Sequence, residues 1–114
     1  MDGKAVLAWC RGQPDVSEGT PFGPDALVFK VGGRMFAACP VMANPDRITL
    51  KADPDLAEAL RAQFPGVRPG YHMNKRHWNT VALDGGVPTG VIRQLLEQSY
   101  ALVAHPTGAR RRSG

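Results

Sequence analysis

Long apolar runs are missing from this 114-residue chain, and nothing in it approaches the ~20 apolar residues of a membrane span. Its opening, MDGKAVLAWCRG, holds no apolar segment long enough for a secretory leader. A cytoplasmic protein with no membrane partner is the expectation. Cysteine is scarce: Cys10 and Cys39 stand far apart and form no C-x-x-C pair, and a disulfide between them, though open in principle, is not needed by a cytosolic chain with a normal core. Both thiols are expected to be buried and reduced. Serine is almost as rare, and Ser17, Ser99 and Ser113 sit in no G-x-S-x-G elbow. The glycine pairs Gly32-Gly33 and Gly85-Gly86 lack the Lys-Ser/Thr of a phosphate loop. His72 and His77 make half of a zinc pattern, with no cysteine nearby, so neither a metal nor a cofactor is expected. No catalytic constellation emerges, and the chain reads as a non-enzyme.

What is present describes one globular domain. Apolar residues make up 43% and charged residues 21% of the chain, ordinary values for a folded protein with a single core. The formal charge of +4 looks favourable for a nucleic-acid partner until it is located. Arg110, Arg111 and Arg112 carry three of those charges, leaving 11 basic against 10 acidic side chains in residues 1–109. Residues 1–106 are therefore read as the domain and 107–114 as a flexible basic tail. Only a local patch on the domain can argue for a charged partner.

The pattern alternates between helix and strand signals. Asp2 caps a helix that ends at Gly12, and a strand is expected within Ser17–Phe22. Ala26–Val31 and Arg34–Cys39 flank Gly32-Gly33, the two-residue turn of a tight hairpin, whose register would set Phe29 opposite Phe36. Arg47–Lys51 alternates, with Ile48 and Leu50 on one side and Arg47, Thr49 and Lys51 on the other. Asp53-Pro54 starts a helix carrying Leu56, Leu60 and Phe64. Trp78–Leu83 alternates again, and Pro88 opens a last helix with a stripe through Ile92, Leu95, Leu96 and Ser99. These signals predict an α+β two-layer sandwich, an antiparallel sheet with helices packed on one face.

One window stands apart. From Ala59 to Leu83, 25 residues, there is no acidic side chain, while Arg61, Arg68, Lys75 and Arg76 alternate with His72, His77, Tyr71 and Trp78. Cations neutralise phosphates and flat rings stack on bases, so the composition suits a nucleic-acid surface. The candidates for it are Arg47, Lys51, Arg68, Lys75, Arg76 and Trp78, expected as one continuous basic face. Against this stands the plain alternative of a solvated rim round a structural motif. In that reading Asn74 and His77 are more than half buried and lock the turn.

The same window, Gly70-Tyr71-His72-Met73-Asn74-Lys75-Arg76-His77-Trp78-Asn79-Thr80-Val81, resembles the signature of the MmcQ/YjbR-like family. Pro21-Phe22-Gly23, Leu27 to Phe36, Leu50-Lys51 before Asp53-Pro54, and Gln98-Ser99-Tyr100 fit it too, so the resemblance runs from the first helix to about Val103. It implies a two-layer α+β fold similar to secretion chaperones and loosely to frataxin-like proteins. It also implies DNA binding, through a double-wing geometry, with no catalytic residue to carry over. Tyr71, His72, Met73, Asn74 and His77 match the motif without a role for any one of them. The chaperone-like fold makes a protein the other possible partner.

Overall fold

The protein is described here from a computed structural model covering residues 1–70 and 73–105. Tyr71, His72 and the basic tail with its three arginines lie outside the described residues. Helix α1 (Gly3–Arg11) begins where the Asp2 carboxylate accepts from the Ala5 N–H and ends at Gly12. Strands β1 (Val16–Gly19), β2 (Ala26–Val31), β3 (Arg34–Pro40) and β4 (Arg47–Lys51) follow. Helix α2 (Pro54–Gln63) starts at the Asp53 cap, and β5 (Val67–Pro69), β6 (Trp78–Ala82) and α3 (Thr89–Ala104) complete the chain. The six strands form one antiparallel sheet in the order β1-β2-β3-β4-β6-β5. All three helices contribute to a single apolar cluster on one face of it. The predicted α+β sandwich is therefore the fold.

The core follows the period-two pattern. Phe29, Phe36, Ile48, Leu50, Val81 and Leu83 are all buried, packed with Leu60, Leu95 and Leu96, while Leu56 lies at the cluster's margin. Gly32 and Gly33 both adopt positive φ, at 59° and 79°, as the tight hairpin demands. The hairpin register departs from expectation in one respect. Val31 opposes Arg34 and Lys30 opposes Met35, but Phe29 opposes Ala37 rather than Phe36. Phe36 is the extra residue of a β-bulge, which turns it and Ala37 toward the helices together. The two rings still meet, with centroids 6.3 Å apart, and Phe36 stands edge-on to Tyr100 of α3.

The bulge has a consequence for α3. Continuing the β3–β4 register past Ala37 and Leu50 would bring Phe36 opposite Lys51, but the ladder stops there. The Ser99 hydroxyl fills the gap: it accepts from the Lys51 N–H at 2.9 Å and donates to the Phe36 carbonyl. A fully buried serine in an apolar stripe thus splices a helix into a sheet. Cys10 and Cys39 are free and buried, as the sequence suggests. Burial pushes the Cys10 thiol up to about 12 and the Cys39 thiol up to about 11, so neither ionises near neutral pH. No helix among the described residues is long and apolar enough to cross a membrane.

Candidate nucleic-acid interface

Among the described residues, no helix lies on the sheet face opposite the core. Strand pairing sets one row of side chains across it: Gly19, Val28, Ala38, Thr49, Thr80 and Arg68, one from each strand. Four of these are small or short, and the Thr49 and Thr80 hydroxyls meet at 2.9 Å. On the hairpin side of the row lie Lys30, Met35, Lys51 and Trp78; on the other lie Ala26, Pro40, Arg47 and Ala82. Val28 is only 1% exposed yet lies outside the core cluster, so the chain leading into β2 covers it rather than the helices.

Low side chains between taller ones leave a hollow of about 410 Å³, lined chiefly by apolar atoms. Phe22 and Asp25 reach it from the β1–β2 connection, Met73 from the β5–β6 loop, and Met35, Arg47, Thr49 and Thr80 from the sheet. Phe22 is 71% exposed, and Val41 and Met42, the other exposed large apolar residues, lie in the β3–β4 connection. The Val41 N–H donates to the Asp25 carbonyl at 3.1 Å, tying the two connections together.

The expected continuous basic face is divided in two. Lys51 pairs with Trp78 across β4–β6, and the Ala52 N–H donates to the His77 carbonyl at 2.8 Å, so the loop bearing Lys75 and Arg76 abuts the end of β4. Lys30 stands two strands from Lys51, about 10 Å at ordinary strand spacing. Arg34 pairs with Val31, which packs against the core, and so does not join this group. Lys30 shares a hollow with Glu18, and Asp53, engaged as the cap of α2, follows Lys51. Arg47 and Arg68 sit elsewhere. They share a second hollow with Asp46 and Asp84, and Arg47 is ion-paired to Asp46 at 2.8 Å. That end of the face has mixed charge.

The motif loop is held from both layers. Arg61 of α2 donates through one guanidinium nitrogen to the Lys75 carbonyl and to Asn79 Oδ1, both at 2.9 Å. Asn79, 2% exposed on β6, donates in turn to the Ala57 carbonyl. Arg61 is therefore a strut in the covered layer and adds nothing to a basic face. The burial expected of the loop is half met. His77 is partly buried, while Asn74 is exposed and holds the turn from outside, its side-chain oxygen accepting from the Arg76 N–H at 2.9 Å. A turn closed locally in this way needs no burial. Gly70 lies against the motif: a Cβ there would come within 2.8 Å of the Trp78 Cβ. Among the described residues, no three His, Cys, Asp or Glu side chains gather to hold a metal ion.

Lys30 was missed as a candidate, although its parity beside Phe29 places it on the uncovered face. Nothing in the sequence brings Phe22, Asp25, Met35 and Met73 together, because they meet only where two separate connections close over the sheet.

Known proteins share this fold. The YjbR family model matches residues 11–102. The chain is 38% identical to the uncharacterised protein YjbR of Escherichia coli K12 over 95 residues, 83% of this chain and 80% of that one. It is 37% identical to YbdF of Escherichia coli O157:H7, covering 73% of this chain and 68% of that protein. Among solved structures, a crystal structure from Deinococcus radiodurans is 40% identical, with a TM-score of 0.82 over 95% of this chain and 83% of that one. A Pseudomonas syringae protein follows at 28% identity and a TM-score of 0.75, covering 90% and 99%. Matching family model, relatives and fold over nearly the same span, the chain belongs to the YjbR family.

Proposed function

We propose that this protein binds nucleic acid, DNA in preference to RNA, at the hairpin end of its uncovered sheet face. The observation that carries the reading is the pairing of Lys51 with the partly buried Trp78 across β4–β6, with the exposed Lys75 and Arg76 just before Trp78 and Lys30 two strands from Lys51. Such cations suit the phosphates of a strand, and the indole beside Lys51 offers a base a surface to stack on. The preference for DNA rests on the family resemblance.

The test is a titration of duplex and single-stranded DNA at several salt concentrations. It uses the full chain and a variant with Arg110→Ser, Arg111→Ser and Arg112→Ser together. Four phosphate contacts give a slope of about −3 to −4 in log K against log salt on duplex DNA. Trp78→Ala is expected to weaken single-strand binding by about 1–3 kcal/mol. RNA of the same sequence is expected to bind more weakly. If the tail-neutralised variant folds and binds no nucleic acid at low salt, the tail alone explains any affinity. The exposed Phe22, Val41 and Met42 favour a protein partner in that case, since exposed apolar patches mark interaction surfaces.

A further inference from the structure

Folding does not account for the hollow on the uncovered face. Its volume of about 410 Å³ falls within the roughly 300–1,000 Å³ of sites that enclose small organic groups. Val28 and Ala38 give it an apolar floor, and Phe22 and Met73 reach it from separate connections. A phenyl ring 71% exposed at its rim loses the free energy that burial would gain and adds nothing to the core. Polar residues stand in the same lining: Asp25, Arg47 and the hydrogen-bonded Thr49–Thr80 pair. An occupant that uses all of this has apolar faces and a hydrogen-bonding edge. It must also tolerate the cations nearby: Trp78 and Thr80 are two residues apart on β6, about 7 Å along a strand.

An unpaired nucleobase on a phosphate backbone has these properties. Paired bases do not, because reading a duplex groove requires an element that protrudes into it, and this surface is recessed. An apolar peptide side chain would fill the floor and leave Asp25 unused. Resting on the nucleic-acid reading above, we infer that the hollow takes one unpaired base of a single strand whose phosphates lie on the Lys30–Lys51–Lys75–Arg76 group, with Asp25 favouring cytosine over thymine. The two pyrimidines share a ring size and differ at the edge. An ionised carboxylate only accepts, so it matches the cytosine amine and repels the thymine carbonyl.

The experiment compares oligodeoxycytidine with oligodeoxythymidine of equal length, using the full chain with its three tail arginines replaced by serine. Oligodeoxycytidine is expected to bind on the order of tenfold more tightly. Asp25→Asn should erase the difference, because an amide pairs with either edge. Phe22→Ala, at a residue too exposed to matter for folding, should weaken single-strand binding on the order of tenfold and leave duplex binding unchanged. Cytidine monophosphate should compete only at far higher concentration; competition as strong as the oligomer's would overturn the strand as the ligand. Equal affinity for the two oligomers, or normal binding by Phe22→Ala, overturns the inference while salt-dependent duplex binding leaves the proposed function standing. Loss of both single-strand and duplex binding overturns the two together and leaves the hollow to an apolar polypeptide segment.

Discussion

Leu50 and Thr49 are neighbours on β4, yet folding explains one fully and the other hardly at all. Leu50 belongs to the covered face, where Phe29, Ala37, Ile48 and Val81 pack under three helices. The two buried polar residues there, Asn79 and Ser99, are hydrogen-bonded, and no buried side-chain polar atom among the described residues lacks a partner. Thr49 belongs to the uncovered face, with its small-residue row, its hollow and its exposed Phe22. The covered face is closed chemically; the uncovered one is open. The difference teaches where to seek function: in the residues whose cost the fold does not offset.

If that division is right, substitutions on the covered face cost stability and those on the open face cost binding. The largest effect is expected from Asn79→Ala, which removes the buried bond to the Ala57 carbonyl and one of the two bonds that Arg61 makes beneath the motif loop. Urea denaturation should register a loss of about 2–3 kcal/mol, with Ser99→Ala close behind at about 1–3 kcal/mol. A loss below about 0.5 kcal/mol at both positions would erase the contrast between the faces.

The thiols come next. Their native pKa values, about 12 for Cys10 and about 11 for Cys39, are raised above the ordinary 9.0. Above pH 9 the unfolded chain therefore binds fewer protons than the native one, and stability should fall as pH rises from about 9 toward 12. At pH 8 iodoacetamide should label neither thiol until denaturant is added. Rapid labelling of the native protein would show that the covered face opens locally.

Smaller in free energy, and confined to binding, is Lys75→Ala with Arg76→Ala. Both side chains are exposed, so the denaturation midpoint should hold while the salt slope on DNA shrinks by roughly 2. Arg68→Ala should shift the slope by well under 1, since Asp46 and Asp84 share its hollow. A shift of about 1 from Arg68→Ala, as large per cation as that from the pair, would restore the continuous basic face that the sequence suggests. The smallest change is expected from Thr49→Val, which removes one part-buried hydroxyl bond and should cost less than about 1 kcal/mol.

The sequence by itself determined the elements and the covered face. Asp2, Gly12, Gly32-Gly33, Asp53-Pro54 and the alternation of Arg47–Lys51 and Trp78–Ala82 are local signals, and local backbone preferences decide them. The motif's 25-residue acid-free window also pointed to the loop that bears Lys75 and Arg76. Tertiary structure alone decided the rest. Which cations share an end depends on strand order, so Lys30 joins Lys51 while Arg68 falls beside Asp46 and Asp84. Ser99 looked like an apolar stripe's exception until the bulge at Phe36 opened a gap for its hydroxyl. Arg61 looked like surface charge until α2 set it against Asn79, 18 residues on. Such partners are distant in sequence, and no periodicity of three or four residues, or of two, encodes which distant residue a chain will meet.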